Sequence, residues 1–179
     1  MVYIVLGKGF EEAEAVIPCD LLRRAGVDAK FVGIGSASVT GGHGITVQAD
    51  CIAEETDLAQ ADMIVLPGGL GGVASILASE TDLSAVKMMY ENGKYIAAIC
   101  AAPTILAKLG LTDGKRATCY PGMDDEMGNA VMCDEDAVCD GKIITGKAAG
   151  TAFAFGLKLV EVLCGKEIAE KIATGVVSR

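Results

Sequence analysis

Four short, largely apolar runs frame what this chain can fold into: Val2 to Leu6, Ala29 to Ile34, Met63 to Leu66 and Tyr95 to Ile99. Each has the length of one strand, and helical patterns lie between them. A continuously apolar strand has no face to give to water, so it belongs in a sheet covered on both sides. Strands alternating with helices make such a sheet parallel. The pattern predicts an α/β fold, a flavodoxin-like or Rossmann-like three-layer sandwich with a mostly parallel sheet.

Helices are predicted from Glu12 to Ala25, stopping at the C-cap glycine Gly26, and over Leu70 to Ala78, Asp82 to Asn92, Ala101 to Leu109, Thr151 to Leu163 and Lys166 to Ile172. Two stretches interrupt the alternation. Ser38 to Val47 turns at Gly41-Gly42-His43-Gly44, and Val138 to Ile144 contains Asp140-Gly141, the mark of a two-residue hairpin. With 179 residues and no linker, repeat or low-complexity segment, one domain over residues 1–179 is expected.

Charge and cysteines narrow the function. A formal net charge of −9 supplies no basic footprint for nucleic acid or an anionic membrane, so small molecules or proteins are the expected partners. The amino-terminal run Met1 to Gly7 is one strand long and lacks a basic leader, which predicts neither signal peptide nor membrane span. Seven cysteines, an odd count with no Cys-x-x-Cys pair, oppose both a disulfide framework and a zinc site and point to the reducing cytoplasm.

The segment Lys94-Tyr-Ile-Ala-Ala-Ile-Cys-Ala-Ala-Pro-Thr-Ile-Leu-Ala-Lys108 reads as a buried strand that ends at Cys100 and turns at once into a helix. Such a nucleophile elbow exposes its corner side chain to the first free N–H groups of the helix and to its dipole, an arrangement expected to lower a thiol pKa. Ala98 and Ala102 are small where strand and helix approach closely, and Pro103 suits a first helical turn. The same corner also accommodates a cysteine that merely packs as a small hydrophobe.

Ligands in parallel sheets bind beyond the carboxyl ends of the strands, which here carry Gly7-Lys8-Gly9, Pro67-Gly68-Gly69 and Cys100. Gly68 and Gly69 let backbone approach closely, and the N–H groups of Gly69 and Ala101 suit an oxyanion hole, although glycines there also serve a plain tight turn. Glu11, Glu12 and Glu14 open the first helix, where its dipole favours carboxylates in any case. Glu14 alone shares a face with Ile17, Pro18, Leu21 and Ala25. Burial on that face would raise its pKa and fit it to carry protons. Pro18 removes the N–H that would bond the Glu14 carbonyl, which predicts a kink.

His43, the one histidine, precedes Cys100, so the hydrolase order of nucleophile, acid and histidine is excluded. In its glycine loop His43 can be a turn residue, an anion contact or a base. Gly69-Leu-Gly71-Gly-Val-Ala74 matches a dinucleotide fingerprint, but on the third strand, and the acidic residue about twenty positions on, Glu91, falls within a helix.

Taken together, Gly7-Lys-Gly-Phe-Glu-Glu-Ala-Glu14, Val65-Leu-Pro-Gly-Gly69, Ala97-Ala-Ile-Cys-Ala-Ala-Pro103 and Gly150-Thr-Ala-Phe153 resemble the ThiJ/PfpI superfamily, and more narrowly its DJ-one branch. The motifs stand in the family's order and spacing over essentially the whole chain. The resemblance implies a cofactor-free homodimer with an oxidation-prone nucleophile at Cys100, a partner acid at Glu14, and backbone donors at Gly69 and Ala101. It implies action on reactive dicarbonyls such as methylglyoxal, or on their glycated adducts. The alternative it offers is a redox sensor that works through a Cys100 sulfinate.

The chain departs from the family in three places. Cys119-Tyr120-Pro121 stands where relatives often have Thr-His-Pro, His43 falls where they carry an anion-binding arginine, and Lys147 occupies another such position. Gly68, Tyr120, His43 and Lys147 are therefore expected around the pocket. Cysteine–histidine peptidase chemistry and, for want of a P-loop, a kinase find no support.

Overall fold

The computed structural model describes residues 1–177, so positions 178 and 179 of the expected domain lie outside the described residues. In chain order the first half contains β1 (Val2–Leu6), α1 (Glu12–Arg24), β2 (Ala29–Gly33), β3 (Ser38–Thr40), β4 (Thr46–Gln48), β5 (Cys51–Ile52), β6 (Met63–Leu66), α2 (Leu70–Leu77) and α3 (Glu80–Glu91). The second half contains β7 (Tyr95–Ile99), α4 (Pro103–Lys108), β8 (Arg116–Ala117), β9 (Val131–Met132), β10 (Ala137–Asp140), β11 (Ile143–Gly146), α5 (Ala152–Cys164) and α6 (Lys166–Gly175).

Seven strands form the central sheet in the order β10-β11-β7-β6-β1-β2-β5, parallel throughout except for the edge strand β10. Alternation along the strands divides two cores. Val2, Ile4, Leu6, Val65, Ala97 and Ile99 face α1 and α5, where they meet Leu21, Leu22, Phe155 and Leu159. Tyr3, Val5, Ile64, Leu66, Ile96 and Ala98 face the other way, toward Ile76, Val86, Met89, Ile105 and Leu106 of α2, α3 and α4. This is the three-layer α/β sandwich expected from the apolar runs. Burial on both faces explains why those runs do not alternate with polar residues.

Two expectations need correction. The stretch Val138 to Ile144 does not interrupt the sheet but enlarges it, because β11 lies parallel to β7 and β10 folds back along β11. Its loop is also shifted by one residue. Asp140 pairs with Ile143, so the two loop residues are Gly141 and Lys142, with Gly141 at φ 62°, a glycine-first turn. Ser38 to Val47 does stand apart, with β3 and β4 pairing only with each other.

Helix α1 runs through Pro18. Its axis comes close to α5 where Gly156 faces Pro18, for a Cβ on Gly156 would lie 3.1 Å from the Pro18 Cα. The dinucleotide-like glycines have a packing role: a Cβ on Gly71 or Gly72 would press to 2.9 Å from the Lys8 carbonyl oxygen or 2.8 Å from the Phe10 Cα. They let α2 settle on the loop after β1. Among the described residues no helix is long and apolar enough to cross a membrane.

Candidate active site at the end of β7

Cys100 sits where β7 stops, with φ 66°, in the left-handed region that a residue bearing a Cβ rarely enters. Holding it there costs on the order of 1–3 kcal/mol. The corner is fixed from both sides: the Cys100 N–H donates to the Gly146 carbonyl at 3.0 Å, and the Tyr120 N–H donates to the Cys100 carbonyl at 2.8 Å. The helix after it is shorter than expected. Residues 100–102 form a turn and α4 begins only at Pro103.

Glu14 reaches this corner from the third position of α1, and its side chain is fully buried. Its Oε2 accepts a hydrogen bond from the Gly68 N–H at 2.8 Å. Its Oε1 has no such partner among the described residues, and the remaining interaction of the carboxyl is with the Cys100 thiol. Gly68 makes this approach possible, because a Cβ there would lie 2.6 Å from Glu14 Oε2 and 2.7 Å from the Cys100 Cβ. Gly69, at φ 84°, is held equally tightly, with a Cβ coming 2.5 Å from the Gly9 carbonyl oxygen. The three glycine-bearing or cysteine-bearing strand ends thus converge.

Burial pushes the Glu14 carboxyl up to about 7, against the pull of the thiol and the Gly68 N–H. Cys100 is pushed up to about 12 by burial and by the charge and hydrogen bond of Glu14, while the N–H groups of Ala101 and Gly69 draw it down. The expected lowering of the thiol pKa therefore does not hold while Glu14 is ionised. Once Glu14 carries the proton, its charge is gone and it becomes a donor to sulfur, so two of the three raising causes disappear. The pair behaves as one unit that gives up the first of its two protons near neutral pH.

A cleft of about 380 Å³ opens onto the sulfur, lined by Glu11, Gly69, Leu70, Cys100, Ala101, Tyr120 and Met123. The geometry brings together Cys100, Glu14, Gly68, Gly69, Ala101 and Tyr120. It does not bring in the other two residues expected at the pocket. Lys147 lines a neighbouring cleft with Cys119 and Cys133 and pairs with Asp134, and His43 stands behind the cleft wall. The His43 Nδ1 lies 3.0 Å from Glu12 Oε2 and 3.5 Å from Glu11 Oε2. Glu11, Leu70 and Met123 were not singled out from the sequence. Glu11 was discernible only as the residue just before α1, and its place in the wall depends on its N–H donating to the Gly68 carbonyl at 3.0 Å.

Glu11, Glu12 and His43 bring three ligand atoms within 4.8 Å of one another. Glu12 is already satisfied, since its Oε1 accepts from the N–H groups of His43 at 2.8 Å and Ile45 at 3.3 Å. Burial raises its pKa, but the His43 ring and these backbone donors outweigh that and hold it at about 2. The cluster is an anchor for the Gly41–Gly44 turn.

Comparison with known proteins agrees with this fold. Residues 1–162 match the model of the DJ-1/PfpI family. The chain is 39% identical to protein dj-1beta of Drosophila melanogaster over 181 residues, 97% of this chain and 94% of the relative. It is 32% identical to a deglycase of Pyrococcus abyssi, covering 90% of this chain and 98% of that protein. The solved structure of oxidized DJ-1 from Toxoplasma gondii superposes with a TM-score of 0.94 at 33% identity, covering 98% of this chain and 97% of the other. The chain resembles these proteins from end to end and belongs to the DJ-1/PfpI family.

Proposed function

We propose that the protein is a cofactor-free enzyme that converts reactive α-ketoaldehydes, or their early adducts on protein groups, to hydroxy acids. The observation that carries this reading is the buried Glu14 carboxyl, whose one unpartnered oxygen belongs to the acid beside the Cys100 thiol. A relative described as a deglycase supports the same class of substrate.

Glu14 takes the thiol proton, the sulfur adds to the aldehyde carbon, and the carbonyl electron pair moves to oxygen beneath the Gly69 and Ala101 N–H groups. Glu14 returns its proton to that oxygen, giving a hemithioacetal. The carboxylate then removes the proton from the same carbon and delivers it to the neighbouring ketone carbon through an enediol, while the hemithioacetal hydroxyl proton passes to the former ketone oxygen, leaving a 2-hydroxy thioester. Water releases the hydroxy acid and restores the thiol, so the net change is addition of one water. Purified protein should consume methylglyoxal and form lactate, and Cys100→Ala should abolish this; retention of turnover by Cys100→Ala would overturn the proposal.

A second reading is a redox sensor, favoured by the same carboxyl acting as a donor to a Cys100 sulfinate and by the oxidized form known for the Toxoplasma gondii relative. Intact mass under graded peroxide should then plateau at two added oxygens and lose that plateau in Glu14→Ala, which has no donor to offer the sulfinate. Either activity is expected in a homodimer. Val16 on α1 and Phe153 on α5, each 43% exposed on helices that pack together, offer an apolar face for a second copy. Sedimentation at micromolar concentration tests it.

A further inference from the structure

The wall of the Cys100 cleft has a chemistry of its own. Leu70 is 76% exposed at the first position of α2, while that helix already packs through Gly72, Val73 and Ile76. Burial in the core therefore does not account for a leucine there. Across the cleft stands Tyr120, 49% exposed, held by its backbone bond to Cys100, and Met123 closes the floor between two core clusters. These three side chains flank the sulfur with apolar and aromatic surface.

Among the described residues the only charged side chain in the wall is Glu11. No lysine or arginine among them lines this cleft, and the one titratable nitrogen against Glu11 is the His43 Nδ1, 3.5 Å from its Oε2 and closer, at 3.0 Å, to Glu12. Lys147 pairs with Asp134 in the neighbouring cleft, Lys8 lines a separate cleft with Ser36 and Ser38, and His43 is held chiefly by Glu12. An anion entering this cleft meets the Glu11 carboxylate, and among the described residues no lysine or arginine in the lining.

We propose that the cleft selects neutral ketoaldehydes whose ketone carries an alkyl or aryl group and rejects anionic ones, with Leu70, Tyr120 and Met123 seating the substituent and Glu11 excluding carboxylates and phosphates. This rests on the dicarbonyl reading above and specifies its substrate. The same carboxylate favours release of the product, which is an anion formed from a neutral substrate. A unit charge near the rim is worth on the order of tenfold in rate, and so is seating a phenyl ring on partly exposed apolar surface.

Alkylation at Cys100, read by peptide mass spectrometry, tests selectivity without relying on turnover. The rate ratio of neutral iodoacetamide to anionic iodoacetate should exceed that of glutathione measured alongside by about tenfold. It should fall toward the glutathione value in Glu11→Gln. The ratio of N-phenylmaleimide to N-methylmaleimide should favour the aryl reagent by roughly tenfold and lose that preference in Leu70→Ser. In turnover, kcat/KM should rise from glyoxal to methylglyoxal to phenylglyoxal. Reagent ratios equal to those of glutathione, or a Leu70→Ser variant that slows both maleimides by the same factor, would overturn the inference. If the reagent ratios hold but no dicarbonyl is consumed, the enzymatic reading fails while the selectivity of the thiol stands. If dicarbonyls turn over without the predicted order, the inference falls alone.

Discussion

Glu12 and Glu14 stand two residues apart in the first turn of α1, share the same helix dipole and are both nearly or fully buried, yet they are tuned in opposite directions. Glu12 receives two backbone N–H groups and an imidazole, and its pKa is held at about 2. Glu14 receives one N–H, keeps one oxygen without a partner and is raised to about 7. The dipole cannot be the cause, since it is common to both. Burial pushes both carboxyls up; at Glu14 it prevails, while at Glu12 the donors outweigh it, and donors come from wherever the fold turns backbone toward the carboxyl. One acid is thereby held as an anchor, and the other is left able to serve as the proton carrier of the proposed reaction.

Removing the carrier should have the largest effect. Glu14→Gln keeps the shape of the side chain but cannot accept or transfer the substrate proton, so methylglyoxal turnover should fall by roughly 10²–10⁴-fold. Alkylation of Cys100 by iodoacetamide should rise through about pH 7 in the native protein, as the pair loses its first proton, and that inflection should vanish in the variant. Next comes Gly68→Ala. Its new Cβ would lie 2.6 Å from Glu14 Oε2, 2.7 Å from the Cys100 Cβ and 3.0 Å from the Ile99 carbonyl oxygen, so nucleophile and acid must separate. We expect at least tenfold lower turnover and a loss of about 1–3 kcal/mol in urea unfolding, because overpacking is relieved only by moving backbone.

Much of this was legible beforehand. The apolar runs specified the parallel sheet because a strand buried on both faces has to be apolar throughout. Ala98, Cys100 and Ala102 marked the elbow through size alone, and Glu14 was conspicuous as a carboxylate on the Pro18–Leu21 face. What could not be read depended on contacts distant in sequence. That β11 docks on β7, and so supplies the Gly146 carbonyl behind Cys100, is a pairing between segments with no common pattern. The direction of the thiol shift required knowing that a buried carboxyl lies against the sulfur. The donors to Glu12 come from a loop about thirty residues on, where only the glycines of the turn were visible.

The two acids should also separate in the pH dependence of stability. A carboxyl raised from 4.5 to about 7 binds protons more tightly in the folded state, so its contribution is fully present below pH 4.5 and is lost as pH rises through 7. At about 1.4 kcal/mol per unit, that is a decline of about 3 kcal/mol. Glu14→Gln should flatten it and leave the variant more stable than the native protein at pH 8. Glu12 acts with the opposite sign. Its contribution is present above pH 4.5 and disappears as pH falls through about 2. Allowing for water at its exposed partner, Glu12→Gln should cost about 1–2 kcal/mol at pH 7, measured by urea unfolding.

His43→Ala should have the smallest effect and is the sharpest test of the donor argument. The imidazole is 70% exposed, and its protonated form is favoured first by the hydrogen bond to Glu12 and then by the charges of Glu11 and Glu12. The substitution removes the ring but leaves the backbone N–H groups of residues 43 and 45, which hold Glu12 Oε1 from within the turn. If those backbone donors set the state of Glu12, the variant should keep its turn, lose less stability in urea at pH 7 than Glu12→Gln does, and show Glu12 titrating only partway back toward 4.5 by carbon-13 NMR of the carboxyl. If instead Glu12 returned fully to an ordinary carboxylate value, the imidazole would be the whole cause. The contrast with Glu14 would then reduce to the presence of one histidine rather than to where the fold aims its backbone.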